Sequence, residues 1–183
     1  MVGRVVVGPT LPGMRLGEVV PGEGPDNGKP LEGIRVLAAE QMQALLRQAI
    51  GALPPGSGRP RILLTTVPEE QHILGILMSE ALLTLEGAGC VSLGTQTPLA
   101  DIGLAAQAQQ ADIVALSFSS AFPTRQVAPL LKQLRGMLAA NIEVWAGGAG
   151  IERVAAPEGV RIMGSLDAAL EGLAQWRAAH PAH

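Results

Sequence analysis

With 183 residues, 48% of them hydrophobic but only 2% aromatic, the chain has room for one ordinary domain plus an appendage, and its core must be aliphatic. A formal charge of −3 and only two lysines, Lys29 and Lys132, leave no basic run to displace counterions from phosphates, which excludes non-specific nucleic-acid binding. The single cysteine, Cys90, excludes an internal disulfide framework. No long apolar stretch of the signal-peptide or membrane-span kind stands near residue 1, so the expectation is a cytoplasmic protein without membrane association.

Residues 1–30 hold seven glycines and five prolines and read as an irregular lead-in. Residues 31–53 then carry apolar side chains at the helical period: Leu31, Ile34, Ala38, Met42, Leu45, Ala49 and Ala52, widened by Leu37, Leu46 and Ile50. This predicts a helix with one face to bury. Pro54-Pro55-Gly56-Ser57-Gly58-Arg59-Pro60 stops it and reads as a linker, so that 31–59 is helix and linker, 60–177 a domain and 178–183 a tail.

Within the domain, short aliphatic runs alternate with helical stretches. Strands are predicted at 61–66, 90–93, 112–118, 143–146 and 160–163, and helices at 74–88, 99–110, 125–139, 151–154 and 166–178. Repeated strand–helix units with right-handed crossovers make a parallel sheet covered on both faces. The expected fold is therefore α/β, Rossmann-like (flavodoxin-like), a five-stranded parallel sheet in the order 2-1-3-4-5. Ligands in such folds bind beyond the carboxyl ends of the strands, where strands 1 and 3 part. The loops after strands 1, 3 and 4 meet there.

The first of those loops contains Glu70-Gln71-His72-Ile73-Leu74-Gly75, an acidic-x-His-x-x-Gly spacing. A loop histidine can offer one ring nitrogen to a metal when the other donates to a carboxylate, and Glu70 is placed to be that carboxylate. Gly75 would let a bulky ligand pass close to the backbone. The same residues also fit a polar loop whose acidic pair, Glu69 and Glu70, complements a helix dipole. One histidine cannot make an ordinary zinc site, since His180, His183 and Cys90 lie on a tail or in a strand; it satisfies only a cofactor that brings its own equatorial ligands. After strand 3 comes Ser117-Phe118-Ser119, and after strand 4 Gly147-Gly148-Ala149-Gly150. Small residues on adjacent loops open a slot for a flat group or nucleotide tail, although singly they also serve as turns and helix caps. Phe118 and Phe122 either line the slot or belong to the core. Cys90, with no basic neighbour in sequence, is expected to be packed rather than reactive.

In these motifs the chain resembles the cobalamin-binding domain shared by methionine synthases, methylmalonyl-type mutases, corrinoid methyl carriers and the light- or cobalamin-responsive MerR-type regulators. The resemblance covers about residues 60–177. It implies cobalamin as cofactor in a methyl-, adenosyl- or hydroxo- form that the residues do not specify, with His72 as the lower cobalt ligand and Glu70, Gln71 and Gly75 in its loop. Ser117, Phe118 and Ser119 would flank the dimethylbenzimidazole tail, and Gly147 and Gly148 would meet its nucleotide. Two positions depart from the pattern: Glu70 stands for the usual aspartate, and the Ser-x-Leu element lacks its leucine.

The motifs around His72, at Leu93-Gly94-Thr95-Gln96-Thr97-Pro98-Leu99 and at Trp145-Ala146-Gly147-Gly148, are most similar to the sensor end of the MerR-type regulators. Those carry in addition a winged helix-turn-helix and a four-helix bundle with a tryptophan and a Glu-His pair. Here one N-terminal helix is visible, and Trp145 and Trp176 belong to the sheet domain. The resemblance thus implies a non-enzymatic sensor module without its DNA-reading part, acting through a partner regulator or as a homo-oligomer, with no direct DNA binding. The alternative is a corrinoid methyl carrier or mutase fragment. A phospho-receiver would need an aspartate where Ser117 stands, and a flavodoxin would need more aromatic residues in the candidate loops.

Overall fold

The computed structural model describes residues 30–54 and 58–181. The lead-in reading falls on residues that lie outside this range, apart from Pro30. Helix α1 (Pro30–Ala52) precedes an alternation of strands β1 (Gly58–Thr65), β2 (Ala88–Gly94), β3 (Ile113–Ser117), β4 (Glu143–Gly147) and β5 (Val160–Met163) with helices α2 (Leu74–Leu85), α3 (Leu99–Ala108), α4 (Thr124–Met137) and α5 (Leu166–Ala179). A short 3-10 turn, Ala149–Ile151, follows β4. All strand pairs are parallel, and the order is β2-β1-β3-β4-β5, the α/β topology expected from the sequence.

The alternation of side chains along the strands builds two cores. Leu63, Val114, Leu116 and Val144 pack with Ile102 of α3 and Val127, Leu131 and Leu134 of α4. Ile62, Leu64, Ile113, Trp145 and Met163 face the other way, onto Ile76 and Leu83 of α2 and Leu173 and Trp176 of α5. Central strands apolar on both faces are what a doubly covered parallel sheet requires. Among the described residues no helix is long and apolar enough to cross a membrane. Cys90 is half-buried, and burial, opposed by a hydrogen bond with Thr84 and reinforced by nearby Glu80, pushes its thiol up to about 11.

Some expected boundaries are corrected. α2 stops at Leu85, short of Ala88, because Glu86 N and Gly87 N turn back onto Leu82 O (3.1 Å) and Thr84 O (2.8 Å) and Gly87 takes φ +80°. Ala88 is thereby free to open β2 early. Gly58, Arg59 and Pro60, read as linker, begin β1: Gly58 pairs with Ala88, and a Cβ on it would lie 2.3 Å from Gly87 O. α5 runs through Ala179, into the expected tail. The expectation for α1 also changes. Half-buried Leu46 and Ile50 lie on its packed side against α2, whereas Met42 and Leu45 of the expected buried stripe are 50% and 62% exposed. A single neighbouring helix covers only a narrow seam.

At the amino edge of the sheet, Asp112 accepts hydrogen bonds from Arg61 N (2.8 Å) and the Arg59 guanidinium. Burial alone would raise its carboxyl, but these donors, with Arg59 and His180 charge nearby, hold it below the usual range. A depressed folded pKa contributes stability that is complete above the unfolded value, about 3.9, and is lost as pH falls through the folded one. Asp112→Asn should accordingly be less stable than wild type at pH 7, with the gap closing below about pH 4. Urea unfolding between pH 3 and 7 measures this; a gap unchanged by pH would contradict it.

Candidate functional site at the switch point

Because β1 lies between β2 and β3, the chain leaves β1 and β3 on diverging loops, and the predicted residues converge there. After β1, Val67, Pro68, Glu69 and Glu70 form a turn closed by Glu70 N donating to Val67 O (3.2 Å), with Glu69 at φ +70°. Proline second and a positive φ third define a type II turn. The turn sends Glu69 to solvent and Glu70, 1% exposed, inward.

Glu70 is the hub of the site. Its Oε1 accepts from His72 N (2.9 Å) and faces His72 Nδ1 (2.7 Å), and its Oε2 accepts from Ser119 N (2.8 Å) and Ser119 Oγ (2.9 Å). Burial would raise this carboxyl; the hydrogen bonds from His72 and Ser119 outweigh it and keep Glu70 below its ordinary value. In a neutral imidazole, a carboxylate facing Nδ1 favours the proton there, and Nε2 would then be the nitrogen able to bind a metal. The imidazole itself is 61% exposed. Ser119 Oγ lies 3.0 Å from the same Nδ1, so it does not occupy the second ring nitrogen as a Ser–His–acid relay demands. Among the described residues no three His, Cys, Asp or Glu side chains come together to hold a metal. Within the described residues, His72 has no second residue of these types beside it except Glu70.

Beside this loop a cavity of about 340 Å³ runs between the sheet and helices α2 and α5. Leu64, Ala115, Trp145 and Met163 form the sheet wall; Gly75, Ile76, Ser79 and Leu83 form the α2 wall; Ser117, Gly147 and Gly148 stand with Glu152 among its lining residues. Gly75 is bare because a Cβ there would fall 2.2 Å from Ser117 Oγ. Gly147 would meet Met163 O at an ordinary 3.4 Å, so its lack of a side chain serves the cavity. Gly148 serves the backbone instead, as its φ of +97° and the 2.3 Å approach to Phe118 O require glycine.

The structure gathers Glu70, His72 and Ser119 at one point and Gly75, Ser117, Gly147 and Gly148 around the adjacent cavity. Gln71 is exposed on the loop between Glu70 and His72. Phe118 lies elsewhere: it is fully buried and packs on Phe122 (centroids 5.4 Å apart) in the α3 and α4 core. Its backbone is what matters here, since Phe118 N donates to Gly147 O (2.9 Å) and Phe118 O accepts from Gly150 N (2.9 Å), tying two loops together. Sequence reasoning missed the sheet wall of the cavity. Trp145 is 2% exposed, with Nε1 donating to Glu143 Oε2 (2.8 Å). The signal was present in the period-two pattern that puts Leu64, Ala115, Trp145 and Met163 on one face, with small Ala115 leaving room.

No protein-family profile matches the chain. Over 113 residues it is 32% identical to the HTH-type transcriptional repressor CarH of Myxococcus xanthus, a match that covers 62% of this chain and 38% of that protein. The chain thus spans well under half the length of that relative. Among solved structures it is similar to a cobalamin-binding protein from Desulfitobacterium hafniense (TM-score 0.53, 20% identity, covering 80% of this chain and 71% of that one). It is also similar to the monomethylamine corrinoid protein of Methanosarcina barkeri (TM-score 0.56, 19% identity, 76% and 69%). A third likeness is to the methanol:cobalamin methyltransferase complex MtaBC of the same organism (TM-score 0.52, 19% identity, 84% and 64%). The chain therefore has the fold of these cobalamin-binding and corrinoid proteins, and a sequence similar to part of a transcriptional repressor.

Proposed function

We propose that this chain binds a cobalamin, with His72 as the lower cobalt ligand, and serves as the sensor module of a MerR-type regulator in the cytoplasm rather than as an enzyme. The observation that carries this reading is the exposed imidazole of His72, held by the buried Glu70 carboxylate on the loop that runs on to Gly75 in the wall of an apolar cavity. The residues fit the cofactor on three counts. Nε2 is the ring nitrogen left without the carboxylate, no cluster of further protein ligands stands among the described residues, and a macrocycle supplies its own equatorial nitrogens. The cavity is at the small end of the roughly 300–1,000 Å³ typical of ligand pockets, suited to a ring-and-sugar tail and too small for a whole corrin. His72 would hold the cofactor, which when bound would supply a cobalt able to exchange another of its ligands.

The chain's own residues divide the remaining work. Glu70 holds the Nδ1 proton and raises the basicity of Nε2; Ser119 fixes Glu70; Gly147 and Ser117 leave space for the tail; Leu64, Ile76 and Trp145 keep water from it. The sensor reading is supported by the 32% identity with a repressor, against 19–20% for the corrinoid and cobalamin proteins. Equilibrium dialysis should find about one hydroxocobalamin per chain. Methyl transfer to an added acceptor after reductive activation would favour the methyl-carrier alternative instead.

A second expectation follows from the charge of −3 and the lack of a basic run. The isolated chain should give no specific shift of duplex DNA at physiological salt. A competitor-resistant shift at submicromolar protein would contradict this and place a DNA-reading surface on the sheet domain or α1. Any effect on transcription would run through a partner regulator or a homo-oligomer.

A further inference from the structure

Thr66, the residue between β1 and the His72 loop, is fully buried and takes no part in the ligand set described above. Its hydroxyl donates to Glu70 O (2.6 Å) and accepts from Gln96 N (2.8 Å), and its carbonyl accepts from Thr97 N (3.0 Å). Two loops from different strands are thereby joined through one side chain. The carbonyl that Thr66 grips belongs to Glu70, so the hydroxyl fixes the peptide plane from which the Gln71-His72 segment departs. The turn that delivers Glu70 is strained on its other side, because a non-glycine at φ +70° at Glu69 costs energy the surrounding structure must overcome. Glu70 N is held by the Val67 carbonyl. A left-handed residue next to a buried carboxylate needs an anchor, and Thr66 is placed to supply it.

We propose that Thr66 is a positioning residue for His72: its hydroxyl locks Glu70 in the orientation that keeps the imidazole proton on Nδ1 and Nε2 free, and it links this state to the Gln96 loop. Valine at this position keeps the shape but leaves Glu70 O and Gln96 N without their partner. The turn then relaxes, and the Glu70 carboxylate no longer lies in register with Nδ1. Thr65 and Thr97 make a neutral comparison, since their hydroxyls bond each other (2.7 Å) and neither touches Glu70. The proposal deepens the cobalamin reading but its first test does not depend on it.

The experiment is nitrogen-15 NMR of the imidazoles in the full chain without cofactor, at about pH 8.5, well above an ordinary histidine pKa near 6.5. Wild type should show His72 with a protonated Nδ1 and a bare Nε2. Thr66→Val should shift His72 toward the mixed tautomers of a free imidazole, Thr66→Ser should restore the wild-type pattern, and Thr97→Val should lower the melting temperature while leaving the tautomer as it was. Should Thr66→Val not fold, Thr66→Ala removes the same hydroxyl without adding a methyl. In a hydroxocobalamin titration, Thr66→Val should then bind about 10-fold more weakly than Thr66→Ser. A folded variant lacking the hydroxyl with the wild-type tautomer, or failure of serine to rescue it, overturns the proposal. A shifted tautomer in a protein family of variants none of which binds any cobalamin would support the positioning role and refute the cofactor reading.

Discussion

His72→Ala is expected to abolish the histidine-ligated absorption spectrum of bound hydroxocobalamin and to weaken binding more than any other single change in the loop. It removes the imidazole proposed to bind cobalt, while the cavity, which His72 does not line, keeps its shape. Some affinity should survive through tail insertion. Glu70→Gln should do less: it retains an acceptor for His72 N and the length to reach it, but loses the charge on Nδ1, a change worth roughly 10- to 100-fold for a partner of a ligating histidine. It also places an amide group against Ser119 N or Nδ1, where a donor meets a donor. Glu69→Gln should match wild type, since Glu69 points to solvent and only its backbone is special. Titrating the four proteins with hydroxocobalamin checks the order. Equal affinity of wild type and His72→Ala would mean that cobalt ligation by His72 contributes nothing to binding, and a larger loss from Glu69→Gln than from Glu70→Gln would reverse the roles of the two carboxylates.

Gly148→Ala should cost about 3 kcal/mol of folding stability, a large effect for one methyl group. Its φ of +97° and ψ of 170° fall in a region that is essentially glycine's alone, and the new Cβ would lie 2.3 Å from Phe118 O and 3.1 Å from Phe118 N. Those are backbone atoms, which cannot swing aside as a side chain can. The displaced segment continues into Ser119, whose N and Oγ hold Glu70, so cobalamin affinity should fall along with stability. Gly103→Ala is the control. Gly103 sits inside α3 with nothing within 4 Å of its missing Cβ, and alanine there should stabilise by up to about 1 kcal/mol. Urea unfolding of the two variants decides the matter; Gly148→Ala within about 0.5 kcal/mol of wild type would mean that this loop yields far more easily than its geometry implies.

Much of this fold was legible because it rests on periodicities. Runs such as Ile62-Leu63-Leu64 and Ile113-Val114 are apolar on both faces, which only a doubly covered strand requires, and the strand–helix alternation then left few topologies. Boundaries were less legible where glycine acts through a neighbouring strand. Gly58 reads as linker until Gly87 is seen against it. The site divides in the same way. Local spacing located Glu70, His72 and Gly75, but the donors from Ser119 depend on a contact 49 residues away, and Trp145 could be placed in the cavity wall only by knowing which way β4 faces. Phe118 shows the limit in the other direction, since its position beside two serines suggested a ligand contact while its side chain serves the far core. For α1, the amphipathic pattern was read well enough to give a helix, yet which stripe is covered depends on α2, against which it packs.

Whether His72 binds cobalt is decided by electron paramagnetic resonance of the chain loaded with cobalamin and reduced to Co(II), prepared with natural and with nitrogen-15 histidine. Superhyperfine splitting from one axial nitrogen that changes with the histidine label, and is missing in His72→Ala, is the result expected. Splitting that ignores the label would mean that the tail base or another group lies beneath the cobalt and that the Glu70–His72–Ser119 cluster serves some other purpose.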